Sequence, residues 1–277
     1  MRSIRIIPKL DIKGPNLVKG VNLEGLRALG SPRSFIEYYY KNGADELICH
    51  DVVASLYLRN NLDSIIKETS KNIFLPIIVG GGIRNIKDIE RLLKSGADRI
   101  FFNTAAIKNP LLIKKAAKYF GSSTILVSIE CIEREKEHFC LIDFGRQMTK
   151  IKVVDWIDII QSNGAGEIII TSINKEGTGT GFDLNLYEKI SKKIKISLIV
   201  NGGFGELSHI KDLLNYCHPS GIAIGSALHY SSMLNIKKKE DVNEGNFEFI
   251  KNGKNFLNFK KTSIKNIKKY VNSLLKK

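Results

Sequence analysis

Two carboxylates, Asp11 and Glu130, close short apolar runs in this chain of 277 residues, at Ile4–Asp11 and Thr124–Glu130. If these runs are the first and fifth strands of an eight-membered ring, the carboxylates face each other across its mouth. One can then take up a proton while the other gives one, provided their surroundings separate their pKa values. The competing reading is that each caps a helix or pairs with a nearby lysine. Glycines recur in the same way. Gly80-Gly81-Gly82 follows a third predicted strand and Gly202-Gly203 a seventh, and such runs let backbone N–H groups approach a ligand closely. Asn103-Thr104 and Gly225-Ser226 open helices after the fourth and eighth strands, where helix N-termini favour anions. Two such clusters predict a substrate with two phosphates, or one extended anion held at both ends; tight turns are the alternative use. Thr171-Ser172 and Gly177-Thr178, after the sixth strand, add hydroxyls and a loop, with a purely turn-forming role as the competing reading.

Four charged residues, Arg5, Glu46, Arg99 and Glu167, fall at the opposite, N-terminal ends of strands one, two, four and six. Pointing inward, they would form a mixed-charge ring plugging the barrel bottom, since buried charges persist only when paired. Pointing outward, they would be ordinary surface pairs. A ring has a use only if something passes along the barrel axis.

These placements depend on a regular alternation. Strands are predicted at Ile4–Asp11, Glu46–Asp51, Pro76–Gly80, Arg99–Asn103, Thr124–Glu130, Glu167–Ser172, Ser197–Asn201 and Gly221–Gly225. They are nearly continuous apolar runs, as strands buried on both faces must be. Helices start at Asn85 before Ile86–Leu93, at Asn109-Pro110, and at Asp183 before Leu184–Lys193. The two halves echo each other at an offset of about 120 residues. Asn42-Gly43-Ala44-Asp45-Glu46 answers Asn163-Gly164-Ala165-Gly166-Glu167, and Val79-Gly80-Gly81-Gly82 answers Val200-Asn201-Gly202-Gly203. The fold class is therefore α/β: one (β/α)8 TIM barrel over 1–277 with a two-fold half-barrel repeat. The pattern breaks over about 237–261, read as a hairpin or ordered excursion before a final helix, Ser263–Leu275.

Composition narrows the function classes. The net charge is +15, but lysine is spread over many segments, as in Lys192-Lys193 and Lys237-Lys238-Lys239. A basic rim for an anionic small substrate fits this better than a nucleic-acid partner. No apolar run approaches the roughly 20 residues needed to span a bilayer, and Met1–Pro8 is too short an apolar segment for a secretory signal. The four cysteines, Cys49, Cys131, Cys140 and Cys217, have no metal-type spacing, so free thiols and a cytoplasmic protein without metal or cofactor are expected.

The motifs together resemble the cyclase subunit of imidazole glycerol phosphate synthase, the histidine-pathway glutamine amidotransferase, over roughly Ser3 to Ser232. They are Ile6-Ile7-Pro8-Lys9-Leu10-Asp11, Val18-Lys19-Gly20-Val21-Asn22, Val79-Gly80-Gly81-Gly82-Ile83-Arg84, Gly164-Ala165-Gly166-Glu167-Ile168, Thr171-Ser172-Ile173 and Asn201-Gly202-Gly203. In that family a separate glutaminase docks on the barrel bottom, and its ammonia crosses the barrel past a charged gate. The resemblance implies that Arg5, Glu46, Arg99 and Glu167 are the gate and that Asp98 lies at the glutaminase interface. It further implies that Lys19 and Glu176 lie beside the substrate and that Asp11 is a catalytic acid/base.

The chain also departs from the family. Glu130 stands where a second aspartate is usual, Lys9 for Cys, Gly14-Pro15-Asn16 near a usual Asp-Gly-Arg, Glu176 for the second aspartate of Asp-x-Asp-Gly-Thr, and Asn201 for Ser. Anion scaffold and gate are kept while groups at the reacting centre change. That pattern resembles the paralogous branch found with surface-sugar genes. There such a barrel and glutaminase are thought to feed ammonia to an ATP-dependent N-acetyl-sugar amidotransferase that makes an acetamidino group, with a phosphorylated or nucleotide-sugar substrate. This branch is the favoured expectation, with phosphate binding kept and ring closure poor. A genuine histidine-pathway cyclase is the alternative, and a non-catalytic ammonia conduit the third reading.

Overall fold

In the computed structural model, which describes residues 3–54, 62–233, 235–236 and 259–276, the apolar runs form strands as expected. Along the chain these are β1 (Arg5–Lys13), β2 (Asn16–Val21), β3 (Glu24–Gly30), β4 (Leu47–Asp51), β5 (Ile77–Gly80), β6 (Arg99–Phe102), β7 (Ile125–Arg134), β8 (Glu137–Ile142), β9 (Gln147–Lys152), β10 (Glu167–Ser172), β11 (Ser197–Asn201) and β12 (Gly221–Ile224). Eight of them pair in parallel in the order β1, β4, β5, β6, β7, β10, β11, β12, and β12 returns to β1, which closes a barrel. β1 and β7 lie four strands apart in this ring, so Asp11 and Glu130 stand on opposite walls.

The pleat of each strand sorts its side chains to two sides. One set, including Ile6, Leu47, Val79, Ile100, Val127, Ile168, Val200 and Ile222, packs with the helices in one apolar cluster. The other set fills the barrel axis. Ile7, Ile48, Ile78, Phe101, Leu126, Ile169, Ile199 and Ala223 form a separate buried cluster, one residue from each strand. Two residues toward the N-terminal end of the strands the same parity holds Arg5, Glu46, Arg99 and Glu167. Two residues toward the other end it holds Lys9, His50, Asn103, Thr171 and Asn201, and then Asp11 and Glu130. The register fixes this stacking. Aligned on the apolar layer, the pairings shift by two residues at alternate strand junctions, as in Lys9↔Ile48 and Ser128↔Ile169, which gives the stagger of about eight expected of this barrel.

The helices are α1 (Pro32–Lys41), α2 (Leu62–Thr69), α3 (Ile86–Lys94), α4 (Thr104–Lys108), α5 (Leu111–Phe120), α6 (Val153–Ser162), α7 (Leu184–Ile190), α8 (Ser208–Leu214), α9 (Ser226–Ser232) and α10 (Ile264–Leu275). Asn85 and Asp88 form a reciprocal capping box on α3, Asp183 accepts from Leu186 N–H on α7, and Ser263 accepts from Asn266 N–H on α10. Asn109 does not cap α5. It ends α4, and the chain passes through Pro110 without a side-chain cap. α7 stops at Ile190, three residues before the expected end.

The repeat is carried into the backbone. Asp45 N–H donates to Ile6 O as Gly166 N–H does to Ile125 O, and Asp98 N–H to Ile77 O as Ser220 N–H does to Leu198 O. Each half also opens with a hairpin absent from the sequence reading: β2 and β3 follow β1, and β8 and β9 follow β7, all antiparallel. The predicted excursion at about 237–261 lies, over 237–258, outside the described residues. Among the described residues no helix is long and apolar enough to cross a membrane.

Candidate active site

At the N-terminal end the four expected charges do point inward and form a ring. Arg5 Nη1 donates to Glu46 Oε2 at 2.7 Å and its Nη2 to Glu167 Oε1. Arg99 Nη1 lies 2.6 Å from Glu167 Oε2 and 3.8 Å from Glu46 Oε1. Signs alternate around the ring, so each charge is neutralised by neighbours on other strands. Glu167 is fully buried, whereas the arginine side chains keep 24% and 18% of their surface open. Asp98, exposed beside Arg99, accepts from Ile77 N–H at 2.8 Å and so also closes the end of β5.

Above the apolar layer lies a buried polar network. Lys19 reaches from β2 across the mouth. Its Nζ donates to Asp11 Oδ2 at 2.7 Å and to Glu176 Oε1, while Lys9 Nζ donates to Asp11 Oδ1. Glu176 also accepts from Asn201 Nδ2 at 3.4 Å, and that amide donates to Thr171 Oγ1 at 3.0 Å. All six are buried. The lysine-pairing reading of Asp11 is therefore realised, inside the pocket rather than on the surface. On the opposite wall Glu130 Oε2 accepts from Asn103 Nδ2 at 3.2 Å.

The two carboxylates are driven apart. Burial alone would raise Asp11, but the Lys19 and Lys9 ammoniums outweigh it and hold the carboxyl well below the usual range. Burial raises Glu130, and His50, Lys9 and the Gly145 N–H offset this only in part. Asp11 is thus an anion and Glu130 tends toward the neutral acid, the separation that acid and base roles require. Burial would lower Lys19, but Asp11 and Glu176 raise it.

The first anion cluster lines a cavity of about 380 Å³ together with His50, Arg84, Lys108 and Glu130. Gly82, Asn103 and Thr104 all face it, but Asn103 Nδ2 also holds Leu141 O at 2.8 Å and Thr104 Oγ1 accepts from Asp143 N–H at 2.9 Å. Their side chains therefore dock the β8–β9 hairpin over the site, leaving the backbone start of α4 without a side-chain cap. The second cluster adjoins Lys19, because a Cβ on Gly225 would come within 3.1 Å of Lys19 Nζ. α9 starts there without a side-chain cap, and Ser226 Oγ is buried with no hydrogen-bond partner among the described residues. The glycines also let backbone segments pass close to one another. Gly81 and Gly202, repeat counterparts with φ of +101° and +97°, pass against the carbonyls of Asp51 and Ser172, where a Cβ would fall 2.2 and 2.9 Å from oxygen. Gly177 likewise packs on Gly20 O, and Gly203 on Gly181 O. Soaked phosphate or sulfate is expected at Gly82 with Asn103-Thr104 and at Gly203 with Gly225-Ser226, as a diffraction map would reveal; ions only on the lysine-rich exterior would sink the two-anion reading.

Asn201, singled out in the sequence as a change at the reacting centre, bridges Thr171 and Glu176. Sequence reading missed two groups here: His50 lines the cavity, and Phe144 from the β8–β9 turn closes the cavity wall. The strand parity pointed to the first; nothing local pointed to the second. The cysteines are all buried free thiols, and burial pushes Cys49, Cys140 and Cys217 up to about 12 and Cys131 well above the usual thiol range, so they stand outside the chemistry. Among the described residues no cluster of three or more His, Cys, Asp or Glu could hold a metal ion.

Known proteins resemble this chain in sequence. The family described as "Histidine biosynthesis protein" matches residues 5–234. The chain is 51% identical over 208 residues to the imidazole glycerol phosphate synthase subunit HisF of Legionella pneumophila, covering 75% of this chain and 98% of that protein. It is 37% identical to the subunits of the same name from Methanocaldococcus jannaschii, over 250 residues, and Staphylococcus aureus strain JH9, over 243 residues. Those alignments cover 83% and 87% of this chain and 92% and 96% of those proteins. These relatives carry the imidazole glycerol phosphate synthase name and none of them a surface-sugar one, so the favoured expectation from sequence gives way to its alternative.

Proposed function

The chain belongs to the histidine biosynthesis protein family, and on that premise we propose that it is the ammonia-using cyclase subunit of an imidazole glycerol phosphate synthase. It takes ammonia at the charged ring and uses it at the Asp11–Glu130 mouth to convert the linear bis-phosphate PRFAR to imidazole glycerol phosphate and AICAR. The observation that carries this reading is the coaxial stack itself: a neutralised charged ring, an apolar layer, and two carboxylates of opposite protonation tendency between two anion clusters. The apolar layer suits neutral ammonia, whereas ammonium would lose its hydration there. Lys19, Thr171, Glu176 and Gly177 contribute to the substrate side of the mouth, and Asp11 and Glu130 exchange protons with substrate. Ammonium-dependent turnover of PRFAR in the ordinary enzyme range, about 1–1000 per second, is expected.

One observation favours a second reading. Both oxygens of Asp11 are held by ammonium groups, which weakens it as a base for ring closure. Were PRFAR inert, and activity to appear only with a glutaminase and an ATP-dependent N-acetyl-sugar amidotransferase, the surface-sugar role would replace the first reading. Glutaminase stimulation with turnover in neither assay would leave a conduit.

The partner on the N-terminal face is a glutaminase subunit, beside Asp98 and the arginine edges of the ring. Asp98→Ala should abolish most of the stimulation of a co-expressed glutaminase while lowering the melting temperature only slightly, since the Ile77 contact is a single strand-end hydrogen bond worth about 1 kcal/mol. Equal stimulation by the variant would remove Asp98 from the interface.

A further inference from the structure

His50 lines the mouth from β4 with an unmet hydrogen-bonding need. It is the register partner of Asp11 on β1, as Thr171 on the other half is of Glu130. Its ring stands edge-on to Phe101 and Phe144, with centroids 5.1 and 5.4 Å away, and lines the cavity shared with Glu130. Two aromatic walls fix the ring plane. His50 Nδ1 is buried and has no hydrogen-bond partner among the described residues. Asp11 Oδ1 lies 3.7 Å away, a distance for charge attraction rather than hydrogen bonding. A buried polar atom left open in this way is costly unless a ligand meets it. Asp11, by contrast, has both oxygens engaged by Lys9 and Lys19.

We infer that His50 is a catalytic residue of this site, the group that exchanges protons with the nitrogen of incoming ammonia, with Asp11 steadying the imidazolium and Glu130 serving the substrate oxygen. This rests on the ammonia-using reading above. The ammonia lone pair forms a C–N bond to a substrate carbonyl carbon as the π pair moves onto oxygen. Nitrogen gives one proton to His50, and the oxygen takes one from the Glu130 carboxyl, leaving a neutral carbinolamine. The His50 proton then passes to that hydroxyl, which departs as water. A second nitrogen proton returns to the Glu130 carboxylate, leaving an imine and both side chains as they began.

The test compares His50→Leu and His50→Ala with the native chain in PRFAR turnover driven by ammonium, with inorganic phosphate binding as the control for an intact site. Both variants are expected to lose about 100-fold or more in kcat, with KM nearly unchanged. Added imidazole should restore part of the activity of His50→Ala, and none to His50→Leu, whose side chain fills the space. A His50→Leu chain with native kcat overturns the inference, as does a phosphate-binding His50→Ala that imidazole cannot help. A native chain inert on PRFAR fails the cyclase reading and takes this one with it; an active native chain with unaffected variants fails His50 alone.

Discussion

Glu130→Gln should cut ammonium-driven turnover by about two to four orders of magnitude while making the protein more stable at neutral pH. The loss of activity follows from removing the carboxyl that protonates the substrate oxygen, which Asp11, held as an anion on the far wall, does not replace. The gain in stability follows from linkage. Burial raises the Glu130 pKa in the folded chain, so its neutral form costs nothing below the unfolded value of about 4.3. As pH rises through the folded value, ionisation favours the unfolded chain and native stability falls. Glutamine cannot ionise. Melting curves from pH 4 to 8 should therefore show native and variant close together at the acid end and separating as pH rises, with the variant above. A gap that narrows toward neutral pH would mean that Glu130 is stabilised as an anion, and the acid role would fail.

The second large effect belongs to Lys19. Its ammonium holds two buried carboxylates on separate segments, Asp11 and Glu176, and is itself 2% exposed. Lys19→Met keeps the length of the side chain and removes the charge, leaving Asp11 to Lys9 and Glu176 to the amide of Asn201. Breaking a buried pair from one side costs about 3–5 kcal/mol. The sign with pH is opposite to that of Glu130. Asp11 is depressed in the folded state, so its contribution is present above the unfolded value of about 3.9 and is lost as pH falls through the folded one. The deficit of Lys19→Met should thus be largest near neutral pH and shrink in acid. Denaturant titrations at pH 7 and at about pH 3, below the unfolded value, measure it. A deficit independent of pH would point to lost packing instead of lost charge.

What could be read before the structure was whatever repeats with a short period. The barrel strands are buried on both sides, so Ile6-Ile7, Ile77-Ile78-Val79 and Ile168-Ile169-Ile170 declare themselves locally. Once Arg5, Glu46, Arg99 and Glu167 are placed at strand starts, parity alone turns them inward. The hairpins were hidden because their turns lack the usual Asn-Gly or Asp-Gly signal. Asn22-Leu23, Glu135-Lys136 and Asp143-Phe144 all take positive φ with side chains that rarely do so. Phe144 reaches the cavity wall only through such a turn. The Lys19–Glu176 pair spans 157 positions, and no local pattern announces a contact of that range. His50 was overlooked for another reason: Leu47-Ile48-Cys49-His50-Asp51 reads as one strand, and only the register with β1 places the histidine beside Asp11.

The charged ring is less symmetric than the barrel that holds it. Glu46 and Glu167 are repeat counterparts, but Arg5 corresponds to Thr124 and Arg99 to Gly221, so both arginines come from the N-terminal half. Suppose each half were freed to pair with a copy of itself. Two N-terminal halves would crowd four guanidiniums around two carboxylates at the barrel floor, and two C-terminal halves would bury two carboxylates with no cation. Either assembly carries an uncompensated charge of two units in a layer that is mostly buried. The halves are therefore obligate complements: whatever homodimeric ancestry the duplication records, this chain can no longer return to it.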